Sequence, residues 1–256
     1  MKYVAFDIET TKLIPEGDKW RSHYPLGVSC AATMTEDGEA ILWHGQRESA
    51  DRGLYPLSMT PREIRSLVSY LFREYRDHQR IPITWNGLGF DFDVLSYECE
   101  APLSSSFCRF LAVSHIDIAF QMLCEKGFMI GLNAAAKGLK VPGKLEGMKG
   151  NKAPVMWAGE LIEQERVLQY VRQDVIALVN VYEEIMAGGQ LPWISKKGRW
   201  NKWIPTMVKR QERARLLTVG EAITLPEPDT SWMTSKMPRS QFYGWLSRLD
   251  GFPSLE

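Results

Sequence analysis

The chain has 256 residues, of which 45% are hydrophobic and 24% are charged. These proportions are close to those of ordinary globular domains and exclude a disordered, collagen-like or disulfide-scaffold protein. Lysine plus arginine and aspartate plus glutamate number 31 each. A charged partner must therefore be met by local patches, because the net charge of the molecule is zero.

Apolar runs and cysteines indicate the compartment. The longest uncharged runs, 24–35 and 128–136, are shorter than the roughly 20 residues that span a bilayer. The N-terminal segment reaches Asp7 without the apolar core of a secretory signal. The four cysteines form neither a CxxC pair nor a zinc-type cluster. We expect a cytoplasmic protein with reduced, buried thiols and no membrane partner.

The first half of the chain alternates strand and helix patterns. Strands rich in β-branched and aromatic residues are predicted at 2–8, 27–35, 39–44 and 81–85. Helices are predicted from a capping box at Thr60, and at 91–98, 116–125, 131–139 and 159–187. Three consecutive strands followed by alternating elements predict an α/β fold, a mixed β-sheet flanked by helices.

The composition changes after residue 189. Five of the nine tryptophans and six prolines follow it, and periodicity is poor apart from a predicted helix at 205–217. We interpret 190–256 as an irregular, basic and tryptophan-rich appendage packed on a main domain of residues 1–189. Eight basic residues between 196 and 215 interleave with Trp200 and Trp203. This pattern suits single-strand binding, and a solvated basic face anchored by tryptophans is the alternative.

Two carboxylates close the first predicted strand. Asp7 and Glu9 are two residues apart, so their side chains share one face of the strand. Neighbouring carboxylates repel each other, and Asp7 lies between apolar residues. Burying such charges costs several kcal/mol unless a positive charge compensates. A divalent cation would compensate them, and an ion pair or a charged strand end is the alternative.

A glycine-rich turn at 86–89 precedes another carboxylate. The turn places Asp91 at the carboxyl end of a predicted strand, where α/β folds build their sites. Capping of the following helix is the alternative role for Asp91. Asp93 competes with it, and two residues turn about 200° around a helix. Only one of these two carboxylates therefore faces a given site.

The long predicted helix carries a tyrosine and a carboxylate on one face. Tyr170 and Asp174 are four residues apart and are therefore neighbours on the helix surface. Asp174 lies beside an apolar stripe that should face the core: Val167, Val171, Val175, Leu178 and Tyr182. A carboxylate there needs a positive partner, which is a cation or, alternatively, an arginine at the helix edge.

The order and content of these segments resemble the DEDD exonuclease superfamily, whose fold is ribonuclease H-like. The motifs are FDIET at 6–10, NGLGFD at 86–91 and YVRQD at 170–174. One subclass has histidine five residues before the last aspartate, where this chain has Gln169. The other has tyrosine four residues before it, as at Tyr170. The resemblance is therefore to the DEDDy type, closest in style to the proofreading exonuclease domain of family B DNA polymerases, and covers about residues 1–187.

The resemblance implies a 3′–5′ exonuclease that releases 5′-mononucleotides from single-stranded DNA or frayed 3′ ends with two divalent cations, Mg²⁺ or Mn²⁺. Asp7, Glu9 and Asp174 would hold the cation that activates water. Asp7 would bridge to a second cation, which Asp91 would support directly or through water. Tyr170 would orient the attacking water. Since the region after 190 has no named counterpart and leaves no room for a polymerase domain, we expect a stand-alone nuclease.

The candidate substrate-binding residues are Thr10, Asn86, Phe90, Lys144 and Lys149. Thr10 and Asn86 lie beside the motifs and are candidates for contact with the terminal nucleotide. Phe90 is a candidate for stacking on or wedging a base, although packing in the core is favoured over that role. The two lysines belong to a glycine-rich basic segment, 137–152, whose composition suits the tracking of phosphates.

Two other functions stay open. An exoribonuclease that trims RNA is one, because ribonuclease D-like proteins share the DEDDy residues. A non-catalytic nucleic-acid-binding module is the other, and it is disfavoured because all five site residues are present. The predicted partner is single-stranded nucleic acid with a free 3′ end, DNA being favoured over RNA.

Overall fold

A computed structural model describes residues 1–47, 53–145, 152–195, 197–210 and 213–247. Within these ranges a five-stranded sheet contains β1 (Tyr3–Thr10), β2 (Val28–Thr35), β3 (Ile41–His44), β4 (Ile81–Thr84) and β5 (Ile116–Asp117). The spatial order is β3-β2-β1-β4-β5. The β1–β2 and β2–β3 pairs are antiparallel, and the β1–β4 and β4–β5 pairs are parallel. The predicted mixed α/β sheet is confirmed.

Helices cover both faces of this sheet. They are α1 (Pro61–Arg76), α2 (Asp91–Glu98), α3 (Pro102–Ser114), α4 (Ile118–Lys126), α5 (Leu132–Leu139), α6 (Ala153–Trp157) and α7 (Leu161–Gly188). Helices α1, α2 and α3 share one apolar core with Val4, Phe6 and Ile8. Helices α5, α6 and α7 share the other core with Tyr3 and Ala5. Because strand residues alternate in direction, the odd-numbered positions of β1 face α7.

Local sequence explains where the main helices begin and end. Thr60 caps α1 by accepting from the Glu63 amide, while the Glu63 carboxylate accepts from the Thr60 amide at 2.7 Å. Helix α7 spans 28 residues and stops at Gly189, whose φ of +67° is the left-handed conformation that glycine adopts without strain. The apolar stripe predicted for α7 is buried throughout.

Several elements differ from the sequence analysis. Helices α3 and α6 were not predicted. The helix expected at 116–125 begins at Ile118, because Ile116 pairs with Ile83 as strand β5. The helix predicted at 205–217 is wrong: β8 (Met207–Arg210) and β9 (Arg213–Leu216) form a two-stranded antiparallel hairpin there. Tertiary packing overrides helix propensity, since Leu216 is fully buried and pairs with Met207, which packs on the same core.

The region after 190 is more regular than expected. It also contains β6 (Leu191–Ile194), β7 (Trp200–Trp203), α8 (Val219–Ile223) and α9 (Ser240–Tyr243). Its tryptophans tie it to the sheet and helices: Trp203 is buried and donates to Glu125 at 2.8 Å, and Trp245 donates to the Leu88 carbonyl at 2.8 Å. The division of the chain at residue 189 stays a prediction.

None of the helices in the described ranges is both long enough and apolar enough to cross a membrane.

Candidate active site

Three predicted carboxylates meet where the end of β1 faces the middle of α7. One carboxylate oxygen from each of Asp7, Glu9 and Asp174 lies within 4.8 Å of the others. Strand β1 is central in the sheet, with β2 on one side and β4 on the other, so its backbone is held firmly. Helix α7 packs across β1 and β2 and brings Asp174 to the same place. We name Asp7, Glu9 and Asp174 the carboxylate cluster.

The carboxylate cluster fits a divalent cation. Asp174 is 2% exposed, and its buried Oδ1 has no hydrogen-bond partner. An unpaired carboxylate oxygen is costly to bury, since it has lost its hydration. Oxygen donors from several carboxylates are the ligands that Mg²⁺ and Mn²⁺ prefer. Bound there, a cation would supply the positive charge that the unpaired oxygen lacks.

The raised pKa values of the three carboxylates show that the cluster lacks compensating positive charge. Burial, and then the charges of Asp91 and Asp174, raise the pKa of Asp7 well above its ordinary value. Burial raises the pKa of Glu9 to about 8, with the charge of Asp174 contributing. Burial also raises the pKa of Asp174, although Lys144 opposes the shift. A divalent cation would therefore displace protons when it binds.

Asp91 lies next to the carboxylate cluster but outside it. It is the first residue of α2, is 4% exposed, and its Oδ1 accepts from the Ile8 amide at 3.1 Å. Burial raises the pKa of Asp91 to about 7, and the hydrogen bond from Ile8 opposes the shift. Among the described residues, the three-carboxylate cluster does not include Asp91. Its charge nevertheless acts on Asp7, so the two belong to one electrostatic site.

Asp93, two residues further along α2, has a different partner. Its Oδ2 accepts from Arg21 Nε at 2.6 Å, and the Arg21 guanidinium also lies over the Trp20 ring. The two carboxylates of this helical turn therefore face different surroundings. Asp91 is bound to β1 beside the carboxylate cluster, whereas Asp93 is neutralised by an arginine.

The turn before Asp91 is held by a residue that the sequence analysis missed. Asp117 is buried and accepts from the amides of Asn86 and Leu88, each at 2.9 Å, and from Phe120 at 3.0 Å. Trp245 also contacts this turn, because its indole N–H donates to the Leu88 carbonyl. Asp117 ends β5 and caps α4. The sequence signal for this role is an aspartate between a strand and a helix. The prediction of one continuous helix at 116–125 concealed that signal.

Tyr170 and Lys144 lie against Asp174. Tyr170 is 2% exposed; burial, and then the charge of Asp174, raise its pKa above the ordinary 10. Its hydroxyl therefore stays protonated at neutral pH. Lys144 Nζ donates to that hydroxyl at 3.3 Å and forms an ion pair with Asp174 Oδ2.

Lys144 carries its charge inside the site. Burial alone would lower the pKa of Lys144, but Asp7 and Asp174 more than offset it, so the pKa is raised. The segment that carries Lys144 is attached to α7, because Gln173 Nε2 donates to the Gly143 carbonyl at 2.9 Å. Lys144 therefore supplies a positive charge directly to the carboxylate cluster.

The other candidate substrate-binding residues lie around the motifs. Thr10 is 8% exposed at the end of β1, and Asn86 has a φ of +73° and a buried Oδ1 without a hydrogen-bond partner. Phe90 is half-buried, with its ring edge-to-face against Trp20 at 5.0 Å. Lys149 lies outside the described residues. The substrate-binding roles of these residues, and of Lys144, stay predictions.

The family model that matches this chain agrees with the fold. No curated protein matches this chain. Among solved structures, the family B DNA polymerase from the hyperthermophilic archaeon Pyrobaculum calidifontis is similar at 19% identity, with a TM-score of 0.48 over 72% of this chain and 24% of the polymerase. The chain thus spans about a quarter of that polymerase. The model of the RNase H superfamily matches residues 4–186, most of the chain, and we conclude that the chain belongs to that superfamily.

Proposed function

We propose that this protein is a metal-dependent 3′–5′ exonuclease that removes 5′-mononucleotides from single-stranded DNA or frayed 3′ ends. The observation that carries the proposal is the convergence of Asp7, Glu9 and Asp174, with an unpaired buried oxygen on Asp174, in a chain of the RNase H superfamily. The polarity and the mononucleotide product rest on the resemblance of the three motifs to DEDDy exonucleases.

The carboxylates divide between two cations in this proposal. Asp7, Glu9 and Asp174 would hold one, and Asp7 with Asp91 would hold the other, directly or through water. Two divalent cations lower the pKa of water and stabilise the charge on the leaving oxygen of a phosphodiester. The hydrogen bond from Ile8 to Asp91 keeps the second set of oxygens beside the first.

Tyr170 and Lys144 have the remaining roles. Because the raised pKa of Tyr170 keeps its hydroxyl protonated at neutral pH, the phenolate is not available as a base, and the hydroxyl positions the attacking water by hydrogen bonding. Lys144 lies within hydrogen-bond distance of that hydroxyl and attracts the phosphate of the terminal nucleotide. Asp117 acts indirectly, because it fixes the turn from which Asp91 projects.

A time course on a 5′-labelled single-stranded DNA tests the proposal. With Mn²⁺ we expect a ladder of labelled products that shortens one nucleotide at a time from the 3′ end, and with EDTA we expect none. Internal cuts, immediate release of the label as a mononucleotide, or cleavage in EDTA would contradict it. An RNA of the same sequence, digested in parallel, decides between DNA and the exoribonuclease alternative. A non-catalytic module would bind both strands and cut neither.

The cytoplasmic location of the enzyme stays a prediction from the sequence. The four buried cysteines are free thiols, which is compatible with a reducing compartment.

A further inference from the structure

The hairpin of β6 and β7 presents one face to solvent. Pro192 pairs with Lys202 and Ile194 with Trp200, and paired residues in antiparallel strands lie on the same face. Ile194 is 53% exposed and Trp200 is 62% exposed, whereas the residues of the opposite face are mostly buried. We name the four residues Pro192, Ile194, Trp200 and Lys202 the outer face of the hairpin.

The charged residues of the chain segment that carries this outer face have one sign. Residues 190–211 contain no aspartate or glutamate. Lys197, Arg199 and Lys202 are exposed on or beside β7, and Lys196 lies outside the described residues. Trp200 and Lys202 also line a shallow groove with a volume of about 450 Å³. An exposed indole among cations, with no anion in the segment, matches a partner that offers both aromatic rings and negative charge.

The hairpin is firmly connected to the carboxylate cluster. Gly138 of α5 lies so close to β6 that an added Cβ would be 1.8 Å from the Pro192 carbonyl oxygen. Only glycine allows this approach, which fixes β6 against α5. Helix α5 packs in turn on α7, and the chain that leaves α5 carries Lys144 to Asp174. The hairpin and the carboxylate cluster therefore belong to one continuously packed part of the molecule.

We propose that the outer face of the hairpin binds single-stranded nucleic acid upstream of the 3′ end that the carboxylate cluster holds. Trp200 stacks on a base, and Arg199 and Lys202 contact neighbouring phosphates. The inference rests on the proposed function for the identity of the strand. A protein partner would also cover an exposed tryptophan, but a segment with several cations and no aspartate or glutamate favours a polyanion over an ordinary protein surface.

Binding of 5′-fluorescein oligothymidylates in EDTA, followed by anisotropy, tests the inference without hydrolysis. Lengths of about 4 and about 20 nucleotides separate contact at the site from contact on the hairpin. For the full chain we expect tighter binding of the longer strand. Trp200→Ala should weaken that binding about 10-fold and leave the shorter strand unaffected. Trp232→Ala is the matched control, since Trp232 is 67% exposed outside the hairpin, and it should bind like the wild type.

A second variant tests the electrostatic part. Lys202→Gln should reduce the slope of log affinity against log salt concentration by about 0.7, the value for one phosphate contact on a single strand. Thermal melting should show both hairpin variants folded, because the altered side chains are exposed. An unchanged slope, or the same affinity of Trp200→Ala and wild type for the longer strand, would overturn the inference.

Two further outcomes separate this inference from the proposed function. If Trp200→Ala dissociates an oligomer of the wild type and leaves strand binding intact, the hairpin is a protein interface and the inference is wrong. If wild type binds strands through the hairpin in EDTA but releases no nucleotide with Mn²⁺, the nuclease proposal fails while the binding surface stands.

Discussion

The carboxylate cluster and the outer face of the hairpin are opposites in charge and in exposure. The first gathers buried and half-buried carboxylates around the ammonium of Lys144. The second gathers exposed cations around Trp200. A chain with zero net charge thus carries both a local negative site and a local positive patch. Buried carboxylate oxygens are suited to binding hard cations, whereas an exposed basic surface is suited to binding a long polyanion.

The two regions also differ in their effect on the stability of the fold. Charges in the carboxylate cluster repel each other and are poorly hydrated, so their raised pKa values oppose folding at neutral pH when no cation is bound. The hairpin side chains remain in water and cost little. Substitutions in the carboxylate cluster should therefore lower activity without lowering stability. Substitutions on the hairpin should weaken strand binding without lowering stability.

The largest effect is expected from neutral variants of the carboxylate cluster. Asp7→Asn or Asp174→Asn should reduce Mn²⁺-dependent nucleotide release by more than about 1,000-fold, since several kcal/mol of charge stabilisation is lost. Without metal, the melting temperature of Asp7→Asn should not fall, because Asp91 and Asp174 repel the native carboxylate. Wild-type rates in either variant would refute the site.

The second-largest loss of activity is expected at one of two neighbouring carboxylates on α2. Asp91→Asn should slow nucleotide release about 100-fold while the protein stays folded, because the amide oxygen still accepts from Ile8. Asp93→Asn is the matched control and should retain most activity, since Asp93 pairs with Arg21. Single-turnover rates measure both, and the reverse order would exchange their roles.

A smaller effect is expected for the tyrosine. Tyr170→Phe should slow the reaction about 10- to 100-fold without abolishing it, the scale expected when one positioning hydroxyl is lost. The pH dependence of the rate should keep its shape, because the raised pKa keeps the native hydroxyl protonated at neutral pH. Unchanged turnover in this variant would remove Tyr170 from the mechanism.

The smallest effect is thermal. A carboxyl group whose pKa is higher in the folded state than in the unfolded state contributes stability at low pH. That stability is lost as the pH rises through the folded-state pKa. The metal-free protein should therefore lose stability between about pH 4.5 and pH 8, the interval set by Glu9. Mn²⁺ should raise the melting temperature by about 3 °C more at pH 8 than at pH 5. Equal stabilisation at both pH values, measured by calorimetry, would contradict the proton displacement.

The hairpin variants Trp200→Ala and Lys202→Gln test the other side of the comparison between the hairpin and the carboxylate cluster. They should change the binding of long strands while leaving Mn²⁺-dependent hydrolysis of the shortest strands at the wild-type rate. Together, the two sets of variants test whether holding the cations and holding the strand are separate tasks of separate regions.

The sequence by itself determined the residue types of the site and the elements that carry them. Alternation along β1 placed Asp7 and Glu9 on one face, and helical spacing placed Tyr170 beside Asp174. These relations are local, since they follow from the period of a strand or a helix. The mixed sheet also followed from the order of local patterns, and the superfamily match confirms it.

Only the tertiary structure decided which distant groups meet. It bound Asp91 to Ile8 and Asp93 to Arg21, brought Lys144 into the carboxylate cluster, and revealed Asp117 beneath the turn. Residues 207–216 became a hairpin for the same kind of reason. Propensity and period describe neighbours along the chain, whereas burial against other elements selects among the conformations that they allow.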